Sequence, residues 1–356
     1  MRYGFRIGLA LALGLALMVG CSDENGNGGS GGTAGTGGMA GGGGIDTIEW
    51  AASIAVTSEE KPYEHYGFRI GVSSSAHANI DWLTDGALDD YKPVYSPDGS
   101  QVTFFRVYEY LGEPVPEWRS KICVMNADGS GYRELTSGEY SDYIPYWTRD
   151  GSNDITFTRF AIPFSQRIYR TSPDAAPGEE ELISDPENFE HGYSTLEDGR
   201  MLIRRELPFG YFLMTPNLGG KPSYEPLSYS GDEGTYLHKM TVSPSETKVA
   251  YMKVEGLTLA DILAQRVYLP AVIAYADFDP VNLRIENEVE ITEFDDSTLV
   301  WYPAWTADEK HILYAHSFDG RGVIKAYSLE AGTTTQISSR DDELDYRYPV
   351  PVGIAK

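Results

Sequence analysis

The segment PVYSPDGSQVTFFR, residues 93–106, is followed by ICVMNADGSGYRELT, residues 122–136, and weaker copies of this pair recur along the 356-residue chain. A turn residue anchors the copies, and it is Asp98, Asp150, Asp198, Ser245 and Asp308. These five anchors lie 47 to 63 residues apart. Self-similarity at such a period indicates a repeat architecture.

A second anchor, an aliphatic residue followed by Ser or Thr, ends each unit. It occurs six times: Leu83-Thr84, Leu135-Thr136, Ile183-Ser184, Leu227-Ser228, Ile291-Thr292 and Ile337-Ser338. Between the anchors, each unit holds four short runs rich in Val, Ile, Tyr, Phe and Thr, separated by Gly, Pro, Asp and Asn. This pattern is typical of strands, and four strands per unit make a propeller blade.

The first full unit predicts strands at residues 93–95, 102–106, 122–125 and 133–136. The last stretch, YRYPVPV at residues 346–352, repeats only the approach to a first strand. We expect the other three strands of that blade at residues 50–57, 68–73 and 80–84. The sequence thus predicts an all-β, six-bladed β-propeller whose last blade is closed by both termini, which leaves no open sheet edge.

The repeat resembles the WD40-like (PD40) β-propeller repeat of the TolB family, which has an SPDG turn, an IYVMNADG segment and a Leu-Thr ending. Residues 93–136 match it closely, whereas Tyr193 and Met240 replace the proline in the third and fourth units. TolB carries an α/β domain before its propeller, and fewer than 50 residues precede the first predicted strand here. The resemblance therefore implies a TolB-like propeller and not TolB itself.

The N-terminal residues 1–20 are predicted to be a lipoprotein signal peptide. Arg2 and Arg6 precede an apolar run, residues 7–20, that is too short to span a bilayer. Residues 18–21, MVGC, resemble the lipobox of lipoprotein signal peptidase, which implies lipidation of Cys21 with palmitate-type chains. The alternative is a plain secretory signal with an incidental cysteine.

Residues 21–44 are mostly Gly, and such a segment is predicted to be a flexible tether. The propeller is then expected at residues 45–356. Several acyl chains on Cys21 would anchor it stably to a membrane. Ser22 after the cysteine is compatible with export to the outer membrane, so the sequence predicts an exported bacterial lipoprotein of the cell envelope, facing the periplasm or the surface.

The formal net charge of −25 argues against nucleic acid as a partner. After lipidation of Cys21, Cys123 is the only remaining thiol, so neither an internal disulfide nor a cysteine metal site is expected. Cys123 is interpreted as a small buried hydrophobic residue in a monomeric protein.

Candidate binding residues follow from the turn anchors. Counting seven residues back gives a ring around the upper channel mouth, on the face opposite the DG turns: Tyr91, Tyr143, His191, His238, Trp301 and, by alignment, Arg347. The second strands end near this face with the basic residues Arg106 and Arg159 and, in the third unit, Arg205. These arginines either pair with Asp90, Asp142 and Glu190 or form a cationic mouth for an anionic or sugar-like ligand.

His191 and His238 fall at equivalent positions of adjacent blades and are weak candidates for a divalent metal site, completed by Glu190 or a tyrosine. The pair is similar to the metal site of oligogalacturonate lyase, a related propeller enzyme, but the three-histidine pattern is incomplete. Otherwise the two are hydrogen-bonded rim histidines, and no cofactor is expected.

Two long insertions are predicted on the same face, at residues 107–120 and, as a short helix, at 256–270. Within the predicted propeller, residues 45–356, no GxSxG, GxGxxG, Walker or HExxH motif occurs in the sequence. Two functions remain. The first is an envelope lipoprotein that binds a protein, peptide or glycan without chemistry. The second is a metal-assisted lyase or hydrolase of an acidic saccharide at the channel mouth.

Overall fold

The computed structural model describes residues 47–56, 67–76, 79–112, 117–161, 165–206, 209–231, 235–254, 271–293, 298–318, 321–338 and 344–352. Within these ranges every regular element is a β-strand and no helix occurs, so the predicted all-β class is confirmed. The predicted signal peptide, Cys21, the tether and the helix at residues 256–270 lie outside the described residues.

Strands are numbered in chain order. The first eleven are β1 (Glu49–Val56), β2 (Arg69–Ser74), β3 (Asp81–Trp82), β4 (Asp89–Tyr95), β5 (Gln101–Gly112), β6 (Glu117–Asn126), β7 (Arg133–Glu134), β8 (Ser141–Trp147), β9 (Ile155–Ala161), β10 (Ser165–Thr171) and β11 (Glu181–Leu182). The remaining strands are β12 (Glu190–Thr195), β13 (Met201–Glu206), β14 (Phe209–Thr215), β15 (Ser223–Pro226), β16 (Ser228–Tyr229), β17 (Tyr236–Val242), β18 (Lys248–Val254), β19 (Val272–Asp279), β20 (Arg284–Glu290), β21 (Thr298–Trp305), β22 (His311–Phe318), β23 (Arg321–Ser328), β24 (Thr333–Gln336) and β25 (Leu344–Pro351).

The strands form sheets that are antiparallel except for the β16–β20 and β6–β8 pairs, and these sheets are arranged as a β-propeller. Four sheets hold one blade each, in the orders β25-β1-β2-β3, β12-β13-β14-β15, β16-β20-β19-β18-β17 and β21-β22-β23-β24. The fifth sheet contains eight strands, β4 to β11.

The hydrogen bonding thus departs from the six separate blades predicted from the sequence. The long strand β6 reaches β8, the innermost strand of the next unit, through a parallel bridge between Ser120 and Ser141. The hydroxyl of Ser120 also donates to the backbone oxygen of Asp142 at 2.6 Å, and that of Ser141 donates to the backbone oxygen of Trp118. These contacts fuse two four-stranded units into one sheet.

The predicted closure by the two chain ends is confirmed. Strand β25 pairs antiparallel with β1, from Trp50 opposite Pro351 to Val56 opposite Leu344. The rings of Trp50 and Tyr346 meet edge to face at 5.7 Å between centroids inside this sheet's core. The first and last described strands therefore share one sheet.

The repeated aspartates stabilise the turn between the first and second strand of a unit. The Asp98 carboxylate accepts from the backbone N–H of Ser100 at 3.0 Å and from the hydroxyl of Ser96 at 2.6 Å. Asp150, Asp198 and Asp308 accept the backbone N–H two residues ahead in the same way, at 3.0 to 3.1 Å. Such a bond to its own backbone is why Asp favours tight turns.

The second anchor ties the fourth strand of a unit to the third. In each of the six copies the aliphatic residue donates its N–H to a backbone oxygen of the third strand, as Leu83 does to Ile70 and Leu135 to Ile122. In five copies the following hydroxyl accepts an N–H of that strand at 2.9 to 3.1 Å, from Ile70, Ile122, Ile168, Ile273 and Ile324. The short outer strands are held largely by this motif.

The predicted insertion at residues 107–120 continues the hairpin of β5 and β6, except for residues 113–116, which are not described. Its side chains are anchored to the blade top: the hydroxyl of Tyr110 donates to Asp89, and Trp118 is buried. The core lies between neighbouring four-stranded units, where large side chains such as Tyr193, Tyr251 and Phe105 are fully buried.

Candidate functional site

The innermost strand of each unit carries a β-bulge beside the channel. The pairing register shifts after Tyr91, Tyr143, Gly192, His238 and Trp301 in β4, β8, β12, β17 and β21. Non-glycine residues adopt a left-handed backbone at four of these bulges, all but that of β12, and at the matching place in β25: Lys92, Ile144, Lys239, Tyr302 and Tyr348, with φ between 51° and 55°. This conformation is strained for residues with a Cβ, and such strain concentrates at functional sites.

Four of those residues, Lys92, Lys239, Tyr302 and Tyr348, line a cavity of about 220 Å³ in the channel, which we call the channel cavity. Its walls also include Tyr146, Trp147 and Trp305 and the aliphatic residues Val94, Val242, Ala304 and Val350. Ser96, Pro97 and Pro244 come from turns between first and second strands. The cavity therefore extends from the bulges toward the turn face and not toward the predicted mouth.

Lys92 is the most unusual residue of the channel cavity. Its side chain is buried, and its Nζ has no hydrogen-bond partner among the described residues. It lies 3.6 Å from the ring centroid of Tyr146, a cation–π distance. Burial, and then repulsion from Lys239, hold the pKa of Lys92 well below its usual range.

Lys239 is the second buried lysine of the channel cavity. Its Nζ lies 5.0 Å from the ring centroid of Tyr302. Burial, with repulsion from Arg204, lowers the pKa of Lys239 to about 7. Both lysines thus lie in the channel. The favourable contacts found for their ammonium groups are with the faces of aromatic rings.

Half of the predicted ring is a contiguous buried cluster. The ring centroids of Tyr143 and His191, and those of His191 and His238, are each 6.1 Å apart, so the two histidines lie next to each other. His191 and His238 are each 3% exposed and Tyr143 is 4% exposed. The cluster closes this side of the channel.

Neighbouring polar groups occupy one nitrogen of each imidazole. Nδ1 of His191 lies 2.9 Å from the amide of Gln166, and Nδ1 of His238 lies 2.8 Å from the guanidinium of Arg204. The Nε2 atoms of both rings are buried without a hydrogen-bond partner in the described structure. Burial, together with repulsion from Lys239 and Arg204, holds the pKa of both imidazoles well below the usual range.

Two neutral imidazoles could ligate a metal. Among the described residues, however, no group of three His, Cys, Asp or Glu side chains is placed to hold a metal ion. Glu190, the expected third ligand, instead binds Arg205 and the hydroxyl of Tyr224 at 3.0 Å. Lys92, Lys239 and Arg204 surround the histidines with positive charge, which opposes cation binding.

The other half of the predicted ring is less buried. Arg347 lies 6.0 Å from the ring of Trp301 and forms an ion pair of 2.9 Å with Asp345. Tyr91 packs against the rings of Phe105 at 5.3 Å and Tyr348 at 6.0 Å. The structure thus brings Tyr91, Trp301 and Arg347 to the same end of the channel as the histidines.

The predicted basic residues pair with the carboxylates that precede the ring. Arg106 binds Asp90 through two hydrogen bonds of 2.5 and 2.8 Å, and Arg159 binds Asp142 at 2.6 and 2.9 Å. Arg205 binds Glu190 in the third unit at 2.8 Å. The acidic partners are fully buried, so the first of the two predicted alternatives, ion pairing at the blade tops, is what the structure shows.

Sequence reasoning missed the inner ring formed by Lys92, Lys239, Tyr302 and Tyr348. Each of these residues follows a residue of the predicted ring directly. In the units that have a turn anchor, it stands six residues before that anchor. Two lysines at this position of so acidic a chain were a signal of the inner ring. Only the bulge, however, directs this position toward the channel.

No protein-family model and no curated protein sequence matches the chain. Solved structures do match it. TolB from Acinetobacter baumannii aligns with a TM-score of 0.62 and 12% identity over 86% of this chain and 66% of that chain. The fold is that of a TolB-like β-propeller.

Two further structures share the fold. One is the hydrazine synthase of Kuenenia stuttgartiensis, with a TM-score of 0.62 and 17% identity over 88% of this chain. The other is a chain of a nidogen/laminin complex, with a TM-score of 0.56 and 10% identity over 87% of this chain and all of that one. This chain spans 47% of the hydrazine synthase chain and 66% of TolB, and at these identities the likeness concerns the fold alone. In the described part of the chain, no helix has the length and apolar character needed to cross a membrane.

Proposed function

We propose that this protein is a cell-envelope lipoprotein whose six-bladed β-propeller is a binding scaffold, and that a protein, peptide or glycan partner inserts a small group into the channel cavity. The observation that carries the proposal is the channel cavity itself: a concave site with mostly apolar and aromatic walls and few polar groups. That composition is typical of ligand sites in proteins. Its volume of about 220 Å³ suits a small group.

The six-bladed count treats the eight-stranded sheet as two blades. Strands β4 to β7 and β8 to β11 each repeat the order of a single-blade sheet, and one bridge, Ser120 to Ser141, links them. The six copies of the aliphatic-Ser/Thr anchor support the same count.

Anchoring is inferred from the sequence. Residues 1–20 would be removed as a signal peptide, Cys21 would be acylated, residues 21–44 would be the tether and residues 45–356 the propeller. Such an arrangement would hold the propeller near an envelope membrane, with the outer membrane suggested by Ser22. Of the compared structures, the nidogen/laminin complex is one in which a propeller of this fold occurs with a protein partner.

Capture of partners from envelope extract tests the scaffold. Ala304 lines the channel cavity, and Ala304→Trp would fill it, so we expect the variant to lose the partners that wild type captures. Ala331→Trp, at an exposed turn between β23 and β24, is the matched control and should retain them. If both variants capture the same partners as wild type, the channel cavity is not the binding site.

Labelling cells with radioactive palmitate tests the anchor. Wild type should be labelled and recovered with membranes, and Cys21→Ser should be neither. Label that persists in Cys21→Ser would refute the assignment of this cysteine.

Metal-assisted cleavage of an acidic saccharide stays the second candidate, favoured by the free Nε2 atoms of His191 and His238. It requires stoichiometric metal in the purified protein, and loss of that metal in a His191→Ala/His238→Ala variant. Purified protein without bound metal, before and after incubation with divalent ions, would remove this candidate.

A further inference from the structure

The lining of the channel cavity is charged in the opposite sense to the chain. The chain has a formal net charge of −25, with 53 acidic and 28 basic residues. Among the residues that the structure describes, the lining contains Lys92, Arg149 and Lys239 and no Asp or Glu. Acidic residues outnumber basic ones nearly twofold in the sequence, so a lining without any carboxylate is a property of this site and not of the composition.

Lys92 and Lys239 have no anionic partner in this lining. Nζ of Lys92 makes no hydrogen bond within the described residues, and each ammonium group faces an aromatic ring, Tyr146 or Tyr302. A buried ammonium without a counter-charge is costly, and proteins normally pair or neutralise it. An incoming anion would supply the missing charge.

Arg149, the third basic residue of the lining, is already bound elsewhere. Its guanidinium donates to the backbone oxygens of Ser243 and Pro244 and lies 3.7 Å from the carboxylate of Glu246. The two lysines are therefore the cations of the lining that remain to receive a ligand.

The backbone holds both lysines in place. Lys92 has φ of 54° and Lys239 has φ of 53°, in bulges of β4 and β17, which belong to different sheets. Left-handed backbone costs energy for a residue with a side chain, and it persists where the surroundings determine it. The bulges therefore fix where the two lysine side chains enter the channel cavity.

The other wall residues limit how polar the rest of the ligand can be. Indole N–H groups could bind an oxygen, but Trp147 donates to the backbone oxygen of Val94 and Trp305 to that of Thr241. Of the seventeen other wall residues, nine are prolines or aliphatic residues, four are tyrosines and four are serines or threonines. Among the described wall residues Thr195 adds one buried hydroxyl without a hydrogen-bond partner. An ion with many oxygens would leave several of them against apolar walls, which is unfavourable.

From this arrangement we infer that the channel cavity receives a carboxylate group on an apolar stem, with Lys92 and Lys239 as its two ammonium partners. The inference rests on the proposed binding function, because it names the group that the partner inserts. Each ammonium group can donate a charge-assisted hydrogen bond to a carboxylate oxygen. The stem then lies along Trp147, Trp305 and the aliphatic wall.

Binding should be coupled to uptake of protons. The groups that face the two lysines are Arg204, which is positive, the neutral imidazoles of His191 and His238, and the phenols of Tyr146 and Tyr302. Because the pKa values of both lysines are lowered, an anion that favours their charged form draws protons from the buffer.

The test uses the full chain with hexanoate as probe and hexanamide as its uncharged analogue of equal shape. Isothermal titration calorimetry, repeated in buffers of different ionisation enthalpy, measures affinity and proton uptake. We expect hexanoate to bind with proton uptake and hexanamide to bind at least about tenfold more weakly. Lys92→Met and Lys239→Met should each lower the affinity for hexanoate by at least about tenfold.

Lys221→Met is the matched control, since Lys221 is exposed and only loosely paired with Glu187 at 3.8 Å, and it should bind hexanoate as wild type does. Melting temperatures confirm that the variants fold. They should rise, because a buried lysine whose pKa is lowered in the folded chain favours the unfolded chain.

Each other outcome overturns the inference in a distinct way. Equal binding of hexanoate and hexanamide would leave the cavity as a binding site without preference for charge. Unchanged affinity in Lys92→Met and Lys239→Met would place the probe elsewhere. Tighter binding of phosphate or glucuronate would exclude the apolar stem. Binding of none of these probes, together with wild-type capture by Ala304→Trp, would remove the proposed channel function as well.

Discussion

The indole of Trp147 donates its N–H to the backbone oxygen of Val94 at 2.9 Å, and so joins the innermost strands β8 and β4. Trp305 makes the equivalent bond to Thr241 at 3.0 Å, between β21 and β17. Both tryptophans are 5% exposed and stand three residues before a turn anchor. Neighbouring units are thus connected at the channel by a side chain that also forms its wall.

Replacing Trp147 by Phe should lower the free energy of unfolding by about 1 to 3 kcal/mol. The ring is kept in part, but the carbonyl of Val94 loses its donor in a buried place. Urea denaturation followed by circular dichroism measures the change. Trp82→Phe, at a 38% exposed tryptophan stacked on Arg69, should change stability by no more than about 0.5 kcal/mol. Equal effects of the two substitutions would show that the bond contributes nothing specific.

Asp142→Asn should destabilise the fold by about 3 kcal/mol. The Asp142 side chain is fully buried and holds Arg159 through two bonds, while Glu180 binds the same guanidinium at 2.5 Å. Removing one member leaves a buried charge only partly compensated. Thermal and urea unfolding should both report the loss.

Asp174→Asn is the control for that substitution. Asp174 pairs with Arg133 at 2.8 Å, but the two side chains are 84% and 43% exposed, so the change should stay below about 1 kcal/mol. A small effect of Asp142→Asn as well would mean that Arg159 does not depend on this pair.

The repeat could be predicted from the sequence because its signals act locally. Asp98 bonds an N–H two residues away, and Thr136 bonds Ile122 within one hairpin, so each motif marks its turn or strand wherever it occurs. The pairing of Arg106 with Asp90 was also foreseen as one of two alternatives, since both residues stand at fixed positions in adjacent strands.

The inner face of the channel could not be predicted in the same way. A β-bulge after Tyr91, at Lys92, shifts the pairing register between β4 and β5. The regular alternation of side chains along a strand does not predict such a shift. The fusion of two units at Ser120 and Ser141 depends on the length of the β5–β6 hairpin, which the sequence presented as an insertion. The ring predicted from the sequence therefore stands one residue before the residues that line the channel cavity.

Cys123 should be unreactive toward thiol reagents in the folded protein. The side chain is fully buried in β6, and burial raises the pKa of its thiol to about 12, so almost no thiolate forms near neutral pH. In a Cys21→Ser chain, labelling by a colorimetric disulfide reagent should be slow without denaturant and complete in guanidinium chloride. Fast labelling of the folded chain would contradict the buried position.

Lys239→Met should raise stability at neutral pH and reduce its dependence on pH. The pKa of Lys239 is about 7 in the folded chain and near 10.5 when the chain unfolds, so between these values the unfolded chain binds the extra proton. The free energy of unfolding of wild type therefore rises with pH across this window, by up to about 1.4 kcal/mol per pH unit. The variant lacks this contribution, and its advantage should be largest at and below pH 7.

Urea denaturation between pH 6.5 and 10.5 measures that difference, with Lys221→Met as control because its ammonium group is exposed. The pKa values of His191 and His238 are lowered well below their usual range, so both imidazoles are neutral in the folded chain across the window and do not change the comparison. Lys92 has the same sign of shift, which means that part of the slope should persist in Lys239→Met. A slope equal to that of wild type would show that the pKa of Lys239 is not lowered in the folded channel.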